Sequence, residues 1–93
     1  MNYTCKKIEN CFADSKTWEY VLPITAETFL QLLDGSWQKR CNRKLRRPVF
    51  IAEGEGNRIR IKGILAGTTI RVSFHNDDWE RLKKQFELFL NNH

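Results

Sequence analysis

The sequence predicts an α+β domain: an antiparallel sheet of three to five strands with helices packed on one face, in the rough order (β)β-α-β-β-β-α. Three observations carry this. From Val49 to Phe74 apolar residues recur at every second position. Glycine-containing turns divide that stretch into short runs, and the segments on either side repeat their apolar residues at helical spacing instead. With 93 residues, 41% of them hydrophobic and 12% aromatic, the chain is expected to form one domain, residues 1–93, around one core.

Thr17 to Ile24 (TWEYVLPI) is aromatic and β-branched and reads as a strand closed by Pro23, with Asn2 to Phe12 as its hairpin partner. Thr25 offers an N-cap to a short helix, TAETFLQLLDG. Phe29, Leu32 and Leu33 would face the core, and Gly35 would supply the stop. The stretch GSWQKRCNRKLRRP follows. Helical geometry puts Trp37, Cys41 and Leu45 on one stripe with the six cations off it, so a helix is favoured there over a strand. VFIAE, NRIRIKGIL and TTIRVSF then read as three strands of an antiparallel meander, joined by EGEGN and AGT turns. The last element, HNDDWERLKKQFELFLNN, is a helix with a buried stripe of Trp79, Leu82, Phe86 and Phe89 or Leu90. Its cap is Asn76 or Asp77, and Asp77 as cap would make Glu80 the acid of a capping box.

No apolar run approaches the roughly 18 residues that span a bilayer. MNYTCKKIENCF lacks the apolar centre of a signal peptide, so a cytoplasmic protein without membrane association is expected. The three cysteines agree, because an odd count leaves a thiol unpaired.

The net charge of +5 is unevenly spread. Between Ser36 and Ser73 lie ten basic residues and two acids, whereas the remainder holds six basic residues and nine acids. In NRIRIKG, Ile59 and Ile61 share one face of a strand, which puts Arg58, Arg60 and Lys62 together on the other. Ile70, Val72 and Phe74 set the apolar side of the next strand and leave Arg71 and Ser73 opposite. Helices over the greasy side would leave a basic platform in water. Lys39, Arg40, Arg43, Lys44, Arg46 and Arg47 form an adjoining basic arm, four of them arginines, whose planar fork suits phosphate.

Other chemistries find little support. Cys5, Cys11, Cys41 and His75 contain no C-x₂₋₄-C pair, so neither a metal nor any other cofactor is expected. No nucleophile–His–acid set forms around His75, and Asp77 and Asp78 are spoken for as helix-start residues, so no catalytic residue is assigned. EGEGN lacks the lysine and the following helix of a phosphate loop. Trp18, Tyr20 and Trp37 are expected in the core rather than as base-stacking platforms.

The order helix–strand–strand–strand–helix over residues 25–91 resembles double-stranded-RNA-binding domains, although NDDWER is acidic where those domains place lysines. IRVSFHNDDWERLKKQF is similar to the end of single-strand binders that use a curved basic sheet. Both resemblances imply a phosphate-contacting surface, and neither assigns the chain to a family. The expected function is therefore a small non-enzymatic module binding DNA or RNA through Arg58, Arg60, Lys62 and Arg71 with the basic arm. The alternative is an adaptor or regulatory subunit, whose basic face docks on an acidic protein or whose sheet edge pairs in a homodimer.

Overall fold

The computed structural model describes residues 1–8 and 15–93. Two strands, β1 (Thr4–Ile8) and β2 (Ser15–Val21), precede helix α1 (Ala26–Leu32). Four more follow: β3 (Gln38–Asn42), β4 (Val49–Gly54), β5 (Ile59–Ile64) and β6 (Thr69–His75). A 3₁₀ turn over Asn76–Asp78 leads into helix α2 (Trp79–Asn91). The strands form one six-stranded antiparallel sheet in the order β1-β2-β6-β5-β4-β3. The class is the expected one, with six strands in place of three to five.

The meander β4-β5-β6 follows the alternation in the sequence. Register aligns Trp18, Val72, Ile61 and Ala52 in one row of the covered face, and Tyr20, Ile70, Gly63 and Phe50 in the next. Leu82, Phe86 and Leu90 of α2 and Ala26, Phe29 and Leu30 of α1 close over these rows. Phe86 meets the Tyr20 ring edge-on at 5.2 Å. Burying Leu82, Phe86 and Leu90 contributes about 1.5–3 kcal/mol each, enough to fix which face of α2 turns inward. A seven-residue helix is far below the ~12–15 residues that hold alone in water, so α1 depends on its tertiary contacts. Its first turn hangs on the β5–β6 connection, where Ala26 N–H donates to Gly67 O and Glu27 N–H to Leu65 O.

Four local expectations are corrected. Residues 38–42 form the edge strand β3, not a helix. The Trp37–Cys41–Leu45 stripe does not exist: Cys41 is exposed and Leu45 is 49% exposed. Trp37 instead lies over Gly54, where a Cβ would stand 2.6 Å from the indole, and Lys39 Nζ donates to the Leu33 carbonyl (2.7 Å), satisfying the open end of α1.

α1 also ends without a left-handed glycine. Leu33 is already extended, Asp34 accepts from Ser36, and Gly35 has no positive φ. Leu30 takes the core position expected of Leu32, which is half-buried. Finally, the capping box does not form. His75 Nδ1 accepts from Asp77 N–H at the 3₁₀ turn, while Asp78, the α2 N-cap, makes no cap bond and faces Arg58 and Arg81.

Of the expected N-terminal hairpin, Thr4–Ile8 pairs with β2 as read. The remainder, from residue 9 to Phe12, lies outside the described residues. The likeness to double-stranded-RNA-binding domains stops at α1, which is followed here by four strands rather than three, with β2 paired onto β6.

Candidate nucleic-acid interface

Both helices cover one side of the sheet, and no described helix covers the other side. Its residues are those alternating with the core. One row across the strands is Lys6, Glu19, Arg71, Lys62, Ile51, Arg40. The next is Ile8, Thr17, Ser73, Arg60, Glu53, Gln38. Beyond it, Ser15 pairs with His75, whose N–H donates to the Arg58 carbonyl. Strands lie about 4.8 Å apart, so the face is roughly 24 Å wide from β1 to β3.

The sheet group expected from the sequence is thus brought together: Arg58, Arg60, Lys62 and Arg71 share this face. The basic arm is divided. Arg40 joins the face from β3, two strands from Lys62. Lys39 lies on the helix side, at the end of α1. Arg43 also turns that way and pairs with Glu27 of α1 (2.7 Å), which raises the guanidinium pKa through the hydrogen bond and the nearby negative charge. Lys44, Arg46 and Arg47 stand exposed in the β3–β4 loop, at the end of the face where β5 finishes and β6 begins.

The face is less one-sided than its sequence implies. Glu53 accepts from Arg40 (2.5 Å) and faces Arg60 at 3.5 Å. Glu19, opposite Arg71 on β2, sits 3.4 Å from its Nε. Arg58 reaches around the sheet end to Asp78, which also holds Arg81 at 3.0 Å. The hydrogen bond from Arg81, aided by the neighbouring cations, lowers the Asp78 pKa. These arginines remain about half or more exposed while their carboxylate partners are largely buried, so each guanidinium keeps N–H groups in water that an incoming anion can reach without the pair being broken.

Lys6, Glu19 and Asp78 were not recognisable as members of this surface. Each reaches it through the β1-β2-β6 pairing or through the Arg58–Asp78 ion pair, and both join residues distant in sequence. Trp18 and Tyr20 are buried under α2, with Tyr20 Oη donating to Glu87 (2.8 Å). Burial, chiefly, raises the Tyr20 pKa. Trp37 packs on Gly54, so none of the three offers a ring to the open face. Cys5 and Cys41 stand on opposite edge strands and cannot share an ion; Cys11 lies outside the described residues.

What the arrangement can do chemically is hold anions: its rows are richer in cations and donors than in carboxylates, with Glu19 and Glu53 the acids among them and no aromatic among the row residues named above. No family model matches the chain, and neither a curated protein nor a solved structure does so. No described helix is long and apolar enough to cross a membrane.

Proposed function

We propose that the protein is a small non-enzymatic module that binds nucleic acid through the phosphates. The observation that carries this reading is the gathering of Lys6, Arg40, Arg58, Arg60, Lys62 and Arg71 on the sheet face that no described helix covers. The loop cations Lys44, Arg46 and Arg47 lie at the end of that face. Arginine supplies most of this charge, and its five N–H donors can serve a phosphate while one stays on a carboxylate. Contacts of this kind position a strand without reading its bases, so little sequence preference is expected.

The test is binding of labelled single- and double-stranded DNA and RNA across a salt series. Affinity is expected to fall with log–log slope of about −0.7 per neutralised phosphate on single strands and about −0.9 on a duplex. Replacing Arg58 and Arg60 by Ala should make that slope shallower by about 1.4–1.8. No measurable binding at ~50 mM salt overturns the proposal.

A further inference from the structure

A further row crosses the open face, beyond that of Lys6, Arg71 and Arg40. Val21 pairs with Thr69 and Ile64 with Val49, while the pairing of Gly63 with Ile70 puts Ile64 beside Thr69. Four β-branched side chains therefore stand in line across β2, β6, β5 and β4, over about 14 Å. Ile51 adjoins them, two residues along β4 from Val49. The last pair of the row, Asn42 and Val49, closes the loop that carries Leu45. Val21 is 41% exposed, Ile64 39% and Leu45 49%, so three of the four large apolar side chains exposed among the described residues gather at this end.

Cations border the aliphatic strip on both sides. Arg71, Lys62 and Arg40 belong to the next row of the sheet. Lys44, Arg46 and Arg47 lie in the loop, where Asn42 Oδ1 accepts from Lys44 N–H (3.1 Å) and Arg43 is anchored to Glu27. Among the described residues no carboxylate pairs with Lys44, Arg46 or Arg47.

A duplex makes poor use of this arrangement. It carries about one charge per 1.7 Å of axis, so a surface of cations alone holds it at least as well as either of its strands. Its bases are stacked inside, at the floor of grooves about 7.5–8.5 Å deep, beyond the reach of Val21 or Ile64 standing on the sheet. Against its backbone the strip would meet phosphate and sugar. An unpaired base, by contrast, has a free apolar face with which to cover an aliphatic one.

Resting on the nucleic-acid reading above, we infer that the strand bound is single. Its bases lie on Val21, Thr69, Ile64 and Val49, and its phosphates on the cations at either side.

The experiment compares an unstructured oligonucleotide, its duplex with the complementary strand, and an abasic strand with the same number of phosphates. Binding is measured by fluorescence anisotropy at ~150 mM salt. The base-bearing single strand is expected to bind at least ~10-fold tighter than the abasic strand, and tighter than the duplex. Val21→Thr with Ile64→Thr keeps every charge and the β-branching. In that variant the preference over the abasic strand should shrink below about twofold, with abasic and duplex binding unchanged. Lys44→Gln with Arg46→Gln should weaken both single strands alike and keep the preference. Circular dichroism and thermal melting confirm that the variants are folded.

Equal affinity for the base-bearing and abasic strands overturns the inference and leaves the phosphate reading standing. So does tighter binding of the duplex, or a preference that survives in the folded Val21→Thr, Ile64→Thr variant. Sedimentation that shows a dimer of the unmodified chain, lost in that variant, also overturns it and gives the strip to a second copy. Absence of binding by any of the three forms removes the single-strand reading together with the nucleic-acid reading beneath it.

Discussion

Glu53 is the point where the stability of the open face and its affinity for anions oppose each other. It is 8% exposed, bonded to Arg40 and facing Arg60 across β4 and its two neighbours. Glu53→Gln keeps the shape and removes the charge. Breaking a fully buried pair costs about 3–5 kcal/mol, because the remaining charge is stranded away from water. That figure does not apply here: the Arg40 side chain is 72% exposed and Arg60 is 49% exposed, so both rehydrate. The cost is better taken as two exposed pairs, about 0.5–2 kcal/mol in all. With an m-value of ~1 kcal/mol/M in urea, the midpoint should fall by roughly 0.5–2 M, read from tryptophan fluorescence.

Binding should move the other way. A charge about 7 Å from a phosphate repels it by ~0.6 kcal/mol in a water-like dielectric and by ~2.4 kcal/mol at an effective constant near 20. Salt screening favours the lower figure, so Glu53→Gln is expected to bind an oligonucleotide about 3–10-fold tighter at ~50 mM salt. Weaker binding by a folded variant would refute this reasoning. It would mean that Glu53 acts by holding the Arg40 and Arg60 forks in position rather than by neutralising them.

Two further outcomes follow from local geometry. A Cβ at Gly54 would stand 2.6–2.7 Å from three Trp37 ring atoms, so Gly54→Ala should cost about 1–3 kcal/mol by urea denaturation. In a Trp37→Ala background the same change should cost almost nothing, and additive losses would contradict the contact. Asp78 has its pKa lowered, first by the hydrogen bond from Arg81. Its folded form therefore releases the proton at lower pH than the unfolded chain does. The resulting stability is complete above about pH 4 and disappears as pH falls through the folded value. Asp78→Asn should flatten this acid limb in a pH series of denaturation midpoints. The part from Asp34, lowered by its bonds to Ser36, should remain.

The legible parts of the chain were those whose pattern and packing are the same thing. β4, β5 and β6 alternate because one face is core, and α2 repeats Leu82, Phe86 and Leu90 because one stripe is core. β3 was misread because Trp37, Cys41 and Leu45, in and around it, happen to fall at helical spacing while none of Gln38–Asn42 is buried. Its conformation is decided by partners distant in sequence: the ladder to β4, the Gly54 surface beneath Trp37, and the Leu33 carbonyl that takes Lys39. The capping box failed for a related reason. Local spacing favoured Asp77 and Glu80, but Arg58, twenty residues upstream of Asp78, takes part in fixing that turn. For the candidate site, alternation was enough to put Arg58, Arg60, Lys62 and Arg71 on one face. The carboxylates among them depend on strand order, because Glu19 meets Arg71 only when β2 pairs with β6.

That strand order also bears on the choice between a nucleic acid and a second copy of the chain. The sheet ends in β1 and β3, and both are edge strands with open backbone groups. β1 carries Lys6 and Lys7, β3 carries Lys39 and Arg40, and neither strand contains an acid. Lysine and arginine on an edge are a recognised guard against pairing with another sheet. The only charges that joining either edge to itself or to the other would bring together are cations, and like charges directly opposite are destabilising in a ladder. The same four cations present no obstacle to an anionic chain. Lys6 and Arg40 stand in the same row of the open face as Arg71 and Lys62, so charge that blocks the edges also extends the platform to its full width. A surface basic at both margins and across its middle favours a polyanion laid over the face above a protein strand added at its side.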